Sequence, residues 1–162
     1  MTGPQRAYVG LGANLGDARA ALQQALVRIA ALPKTQLVRR SSFYRSAPVD
    51  AGGPDFINAV AELSTGLGAL ALLRALQAIE LDHGRERPFR NAPRTLDLDL
   101  LLYADIEQAG PVLTLPHPRG HQRAFVLQPL AEIAPGLRWP SHGAVASLAA
   151  SITDQALERL PP

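Results

Sequence analysis

The sequence predicts an α/β (α+β) fold: a ferredoxin-like βαββαβ core with helices packed on the sheet and extra C-terminal helices, residues 1–162 forming a single domain. Apolar residues recur with strand and helix periods in the order strand, helix, strand, strand, helix, strand over roughly the first hundred positions. Prolines and glycines punctuate these patterns. A chain of 162 residues, 47% of them hydrophobic and 19% charged, can also bury one substantial core.

Residues 6–12, Arg-Ala-Tyr-Val-Gly-Leu-Gly, read as a first strand running into a glycine turn. Asn14, Gly16 and Asp17 supply turn and N-cap chemistry. Ala18, Ala21, Leu22, Ala25, Leu26, Ile29 and Leu32 then repeat at helical spacing until Pro33. A second strand spans 36–46, a loop 47–54 and a third strand Phe56 to Leu63. Leu70, Leu73, Leu76, Gln77 and Glu80 belong to a second helix, which Gly84 closes. A polar loop covers 85–94, and a strand follows at about 95–103. Beyond the prolines at 111, 116 and 118, short helices are expected at Phe125 to Ile133 and from Ala144 to Leu160.

Composition removes several function classes. No cysteine is present, which excludes disulfides, thiolate metal sites and a cysteine nucleophile. No basic-then-apolar leader precedes the first strand and no apolar run is long enough to span a bilayer, so a cytoplasmic protein without membrane partners is expected. The net charge is only +2, but all of the 16 basic residues except Lys34 are arginine, whose planar fork suits phosphate and carboxylate.

The most informative run is Pro93-Arg94-Thr95-Leu96-Asp97-Leu98-Asp99-Leu100. In a strand, alternate side chains share a face, so Asp97 and Asp99 point the same way with backbones about 6–7 Å apart. At an effective dielectric near 20, two like charges at that separation repel by roughly 2–3 kcal/mol. A bound cation offsets that cost, and Mg²⁺ suits a carboxylate pair that shares it with substrate phosphates. The alternative is an edge strand with both aspartates in water. Arg85, Arg87, Arg90 and Arg94 lie just upstream, and arginines beside a metal site are what polyphosphate transfer uses. A solvated surface loop is the plainer reading of that charge run.

Other motifs are weaker. Gly10-Leu11-Gly12-Ala13-Asn14-Leu15-Gly16 fails as a dinucleotide fingerprint, because Leu15 stands where the third glycine belongs; a tight strand-to-helix turn fits better. His117, Arg119, His121 and Arg123 form a second basic cluster; Pro118 and Gly120 between the histidines argue against a helical metal site. Phosphate contact by His117 and Arg123 or surface placement remain the alternatives. Phe56, Asn58 and Phe125 could frame a slot for a flat heterocycle, and only Asn58, a polar residue in an apolar strand, is unusual as core.

Taken together, these segments resemble the 6-hydroxymethyl-7,8-dihydropterin pyrophosphokinase family of folate biosynthesis. The resemblance is carried by Tyr8 to Gly16, Ser41-Ser42-Phe43-Tyr44-Arg45-Ser46, Pro54 to Ala59, Ile79-Glu80 with Gly84-Arg85, Pro93 to Leu100, Leu115-Pro116-His117-Pro118, Arg123-Ala124-Phe125 and Pro129-Leu130. It implies diphosphate transfer from ATP to the pterin hydroxymethyl group, with release of AMP. It further implies two Mg²⁺ ions on Asp97 and Asp99, and Arg85 and Arg94 on the moving diphosphate. Arg87, His117 and Arg123 would grip ATP phosphates, with Gln77, Leu100 and Thr114 around the nucleotide. Phe56 and Phe125 would sandwich the pterin, while Asn58 and the backbone near Ser46 and Val49 read its polar edge. Loops 47–54 and 85–93 would close over the substrates, and a monomer is expected. The chain departs from the pattern at Arg90-Asn91-Ala92, where many members carry tryptophan, at Pro118, often tyrosine, and at Phe56, where the pterin-stacking residue is often tyrosine. Two rivals remain: an RNA-binding module of the same fold, which needs exposed aromatics on a basic sheet face, and a kinase that moves one phosphoryl group and releases ADP.

Overall fold

The computed structural model describes residues 3–47, 54–84 and 96–162. In chain order the elements are β1 (Gln5–Ala13), α1 (Ala18–Ala30), β2 (Thr35–Arg40), β3 (Tyr44–Ser46), β4 (Phe56–Thr65), α2 (Ala69–Gly84) and β5 (Asp97–Tyr103). A short 3₁₀ turn (Gly120–Gln122) leads into α3 (Ala124–Ile133), followed by β6 (Arg138–Trp139), β7 (Gly143–Ala144), α4 (Val145–Ser151) and β8 (Leu157–Arg159). The main sheet is antiparallel, in the order β5-β1-β4-β3-β8, with β2 also pairing β4. This is the expected ferredoxin-like order with one strand added at the edge.

The helices form where capping and periodicity agree. Asp17 Oδ1 accepts the Ala20 N–H at 3.0 Å and starts α1, and Gly16 just before it adopts φ +61°, a turn conformation open to glycine. Leu22, Leu26 and Ile29 of α1 and Leu72, Leu76 and Ile79 of α2 are buried against Val9, Leu11, Leu63, Leu98 and Leu100 on one sheet face. Each such aliphatic side chain stabilises the fold by roughly 1.5–3 kcal/mol. An Arg28–Asp82 ion pair at 2.9 Å joins the outer ends of the two helices.

The second face is covered only in part. Tyr8, Val60, Leu101 and Leu102 pack there beneath Val126, Leu127 and Leu130 of α3, with Trp139 and Val145 completing the cluster. A β-bulge between β1 and β5 at Tyr8/Val9 leaves Leu101 outside the ladder, so two consecutive leucines serve this second core.

The observed elements differ from expectation at three places. The long second strand is split into β2 and β3, because the buried Ser41 hydroxyl takes the Val60 N–H at 2.9 Å and interrupts regular pairing. The glycine turn expected at residue 12 lies further on: β1 runs through both Gly10 and Gly12 to Ala13. The helix expected over 144–160 stops at Ser151, and the chain bends at Asp154-Gln155 before Leu157–Arg159 pairs with β3. Thr153 and Asp154 are poor helix residues, and the edge of β3 offers unpaired backbone groups for the strand. The arginine loop and most of the 47–54 loop lie outside the described residues.

Trp139 is 1% exposed and its ring lies over Gly120, where a Cβ would stand 2.5 Å from the indole. Gly120→Ala is therefore expected to destabilise the protein by about 1–3 kcal/mol through overpacking, measured as a lowered urea midpoint at unchanged m-value.

Candidate active site

Strand register places the acidic pair. Gly12 sits between Asp97 on β5 and Asn58 on β4, and Gly10 between Asp99 and Val60. On the next strand Tyr44 is opposite Asn58 and Ser46 opposite Phe56. Asp97, Asp99, Gly10, Gly12, Asn58, Phe56 and Ser46 thus share the second sheet face, at the end that α3 and α4 leave uncovered. A cavity of about 340 Å³ opens there, with Asp97 and Asp99 on one side, Ser46 and Phe56 on the other, and Arg123 and Phe125 of the α3 start above.

The two strand glycines form its floor. Among the described residues a Cβ at Gly12 would meet Asn58 Oδ1 at 3.4 Å, and the nearest atoms to one at Gly10 would be those of the Leu101 side chain, at 3.4–3.6 Å. Neither position is sterically closed to a side chain. What glycine supplies is depth, and a glycine spaced by two within a strand is the signal that could have revealed it.

Asn58 is 3% exposed, and its Nδ2 donates to Ser46 Oγ at 2.8 Å. The amide is held in one orientation, with Oδ1 toward Gly12. Phe56 and Phe125 are both half-buried, and the Arg123 guanidinium lies 5.5 Å from the Phe125 ring centroid. Asp97 and Asp99 are half-buried as well. Among the described residues no three His, Cys, Asp or Glu side chains converge as a metal cage. Two carboxylates lining one cavity are a donor set that suits Mg²⁺, which takes its remaining ligands from phosphates and water.

A neighbouring groove holds Thr114 and His117. The His117 backbone N–H donates to Leu101 O at 2.9 Å, and its ring Nδ1 accepts the Arg119 N–H at 3.1 Å, which fixes the ring. Burial lowers the His117 pKa; the nearby Asp99 charge opposes that shift, and Arg123, Arg119 and His121 add to it. Of the other expected residues, Gln77 is exposed on α2, and the Leu100 side chain is buried on the opposite sheet face. Val49, Arg85, Arg87 and Arg94 lie outside the described residues.

Glu132, which sequence reasoning passed over, ties the cavity walls together. Its carboxylate accepts from Tyr44 OH at 2.7 Å, Ser42 Oγ at 2.9 Å, the Ser42 N–H at 3.0 Å and Arg159 at 3.2 Å. One residue of α3 thereby anchors β3 and β8. Burial alone would raise its pKa, but the hydrogen bonds from Tyr44 and Ser42, with the Arg159 charge, hold it below the ordinary value. Burial, and then the same Tyr44–Glu132 bond, push the Tyr44 hydroxyl well above the usual tyrosine range.

Comparison with known proteins bears directly on this site. Residues 8–135 match the family model for 7,8-dihydro-6-hydroxymethylpterin-pyrophosphokinase. The chain belongs to this family. A 2-amino-4-hydroxy-6-hydroxymethyldihydropteridine pyrophosphokinase of Pseudomonas aeruginosa is 48% identical over 158 residues, covering 97% of this chain and 98% of that one. The enzyme of the same name from Haemophilus influenzae is 43% identical, covering 96% of this chain and 98% of its own length. Among solved structures, a Plasmodium falciparum HPPK-DHPS superposes with a TM-score of 0.72 at 11% identity, over 91% of this chain and 44% of that one. At that identity it speaks to fold alone, and this chain spans less than half of that longer protein.

Two outcomes follow from this geometry. Gly12→Val should leave the fold intact, since valine suits a strand, while filling the cavity floor; isothermal titration should show pterin binding weakened at least about tenfold. Glu132→Gln should cost about 1–3 kcal/mol near neutral pH. Because the folded-state pKa of Glu132 is depressed, its contribution is present above the ordinary value of 4.5 and lost as pH falls through the folded value. Urea midpoints of wild type and variant should therefore converge on acidification.

Proposed function

We propose that this chain carries out its family's reaction in the cavity above Gly10 and Gly12, with the pterin between Phe56 and Phe125 and the polyphosphate over Asp97 and Asp99. As a member of the family it is a transferase, a pyrophosphokinase of folate biosynthesis that uses ATP as co-substrate. Diphosphate passes from ATP to the hydroxymethyl oxygen of 6-hydroxymethyl-7,8-dihydropterin, and AMP is the second product. The observation that carries the assignment of the site is the convergence of an acidic pair, a buried oriented amide and two aromatic rings on one cavity.

Each side chain has a distinct task in this reading. The rings of Phe56 and Phe125 stack on the pterin faces, which fixes its plane. Asn58, locked by Ser46, reads the polar edge together with the backbone near Ser46 and Val49, which fixes rotation within that plane. With both set, the exocyclic carbon is held in place and the oxygen keeps only rotation about its bond to the ring, which leaves little freedom to remove in aligning it with the β-phosphorus. Asp97 and Asp99 would hold Mg²⁺, two ions being expected; the metal would neutralise polyphosphate charge and acidify the attacking hydroxyl. Arg123, His117 and Thr114 would face the phosphates and nucleotide, with Gln77, the backbone of Leu100 and Arg87 completing the ATP contacts. Arg85 and Arg94 stabilise charge on the diphosphate as it moves. We read the protein as a monomer acting on small molecules in the cytoplasm. No helix among the described residues is long and apolar enough to cross a membrane.

The decisive assay mixes protein, ATP, Mg²⁺ and the dihydropterin and separates nucleotides by ion exchange. AMP should form only when metal and pterin are both present, and chelation should stop it; ADP would mean that a single phosphoryl group moves. Asp97→Asn and Asp99→Asn should each lower turnover by at least about 10²-fold. Near-normal turnover in both variants would remove the metal assignment.

A further inference from the structure

The segment after α4 makes an unusual contact with the start of α3. Arg123, the residue entering that helix, offers no side-chain cap, and its backbone is extended (φ −116°, ψ 119°) between the 3₁₀ turn and the helix. The Ala124 N–H instead donates to Gln155 Oε1 at 2.9 Å, and Gln155 Nε2 donates to Gln122 O at 3.0 Å. One amide side chain thus satisfies the peptide group before Arg123 and the one after it. Both peptide planes that set the direction of the Arg123 side chain are held from a residue 31 positions beyond Ala124.

Gln155 is itself held at both ends. On its N-terminal side the Ile152 N–H bonds Ala149 O at 3.3 Å, closing α4. On its C-terminal side Leu157 and Arg159 pair with Ser46 and Tyr44 of β3, and the Leu160 N–H bonds Phe43 O at 2.8 Å. Arg159 adds bonds to Ser42 Oγ at 3.0 Å and Glu132 at 3.2 Å. The tail therefore spans the cavity walls, from Ser46 on β3 to Arg123 and Phe125 at the α3 start.

We propose that Gln155 is a positioning residue for the reaction, acting through the backbone on either side of Arg123. The proposal rests on the reading above that Arg123 contacts the ATP phosphates and Phe125 the pterin. The Arg123 N–H bonds Gly120 O at 3.2 Å and its carbonyl takes the Val126 and Leu127 N–H groups at 3.0 Å. Gln155 bonds the remaining polar atom of each of the same two peptide groups, so the clasp completes the restraint on the direction of the Arg123 side chain. The Arg123 guanidinium leans on the Phe125 ring, so a rotation at Arg123 is passed to the stacking surface. Gln155 is exposed and contributes no core, which separates its role from general stability.

The test compares Gln155→Ala with Leu148→Ala, a substitution in the apolar packing between α4 and α3, and with Arg123→Ala and Phe125→Ala. Steady-state constants for ATP and pterin are measured alongside thermal unfolding. Gln155→Ala should lower kcat/KM for both substrates about tenfold, since small misplacements of binding groups cost at least that much. Leu148→Ala should lower the unfolding temperature at least as far while leaving both KM values near wild type. Gln155→Glu retains an acceptor for Ala124 but not the donor to Gln122, and should fall between; it carries the test if the alanine variant does not fold. Wild-type constants for Gln155→Ala, or an equal KM rise in Leu148→Ala, would overturn the proposal while the effects of Arg123→Ala and Phe125→Ala stand. If those two variants bind both substrates normally, the site reading itself fails, and the proposal with it.

Discussion

The register of β1 between its two neighbours is the constraint on which the rest of the site depends. With Gly12 opposite Asp97 and Gly10 opposite Asp99, both carboxylates face the cavity, and Leu98 and Leu100 face the helices. A slip of one residue would exchange the two sets. Two aspartates would then lie among Leu22, Ile29 and Leu76, at a desolvation cost of several kcal/mol per ion. Packing of α1 and α2 thus selects the register, and the register aims the acids. The bulge next to Tyr8 limits this alternation to where it is needed: past it, Leu101 and Leu102 both serve the second core.

The second sheet face is therefore divided in function. One part is an aliphatic platform for α3 and α4, and the other is a floor without side chains at Gly10 and Gly12. Walls come from remote parts of the chain, β3 and the start of α3, and the C-terminal tail bonds to both. Such walls need fastening, and the fastenings are polar. Glu132 gathers donors from β3 and β8, Ser46 holds Asn58, and Gln155 holds the entry to α3. Removing one partner from such a network leaves others unsatisfied in a partly buried setting, so these residues carry more consequence than their exposure suggests.

Much of this was legible in the sequence, for identifiable reasons. The alternation of Asp97 and Asp99 with leucines encodes both strand and face, and the ferredoxin-like order follows from local periodicity. Gly10 and Gly12 were misread as a turn because glycines spaced by two ordinarily signal one; their meaning depends on what lies across the strand. The final segment looked helical because Val145–Ser151 is helical, and nothing local shows that Leu157–Arg159 has an open edge to join. Glu132 and Gln155 were invisible for the same reason: their partners are 88 to 90 and 31 to 33 residues away in sequence. Periodicity reports which face a residue takes, never which distant backbone group it meets.

The two halves of the cavity are prepared to different degrees, and the physics of the substrates explains why. On the side proposed for the pterin, the Asn58 amide is buried, hydrogen-bonded and fixed, between the half-buried rings of Phe56 and Phe125. Preorganising such a slot costs little in desolvation and removes orientational freedom from the acceptor. On the side proposed for the polyphosphate, Asp97 and Asp99 are half-buried and line the cavity. Full burial of two neighbouring carboxylates would be costly, because lost hydration has to be offset by opposite charge and hydrogen bonds. A fixed amide between two rings, beside a half-buried acidic pair, is therefore the arrangement expected of an enzyme that must orient a flat acceptor and neutralise a polyanion within one cavity.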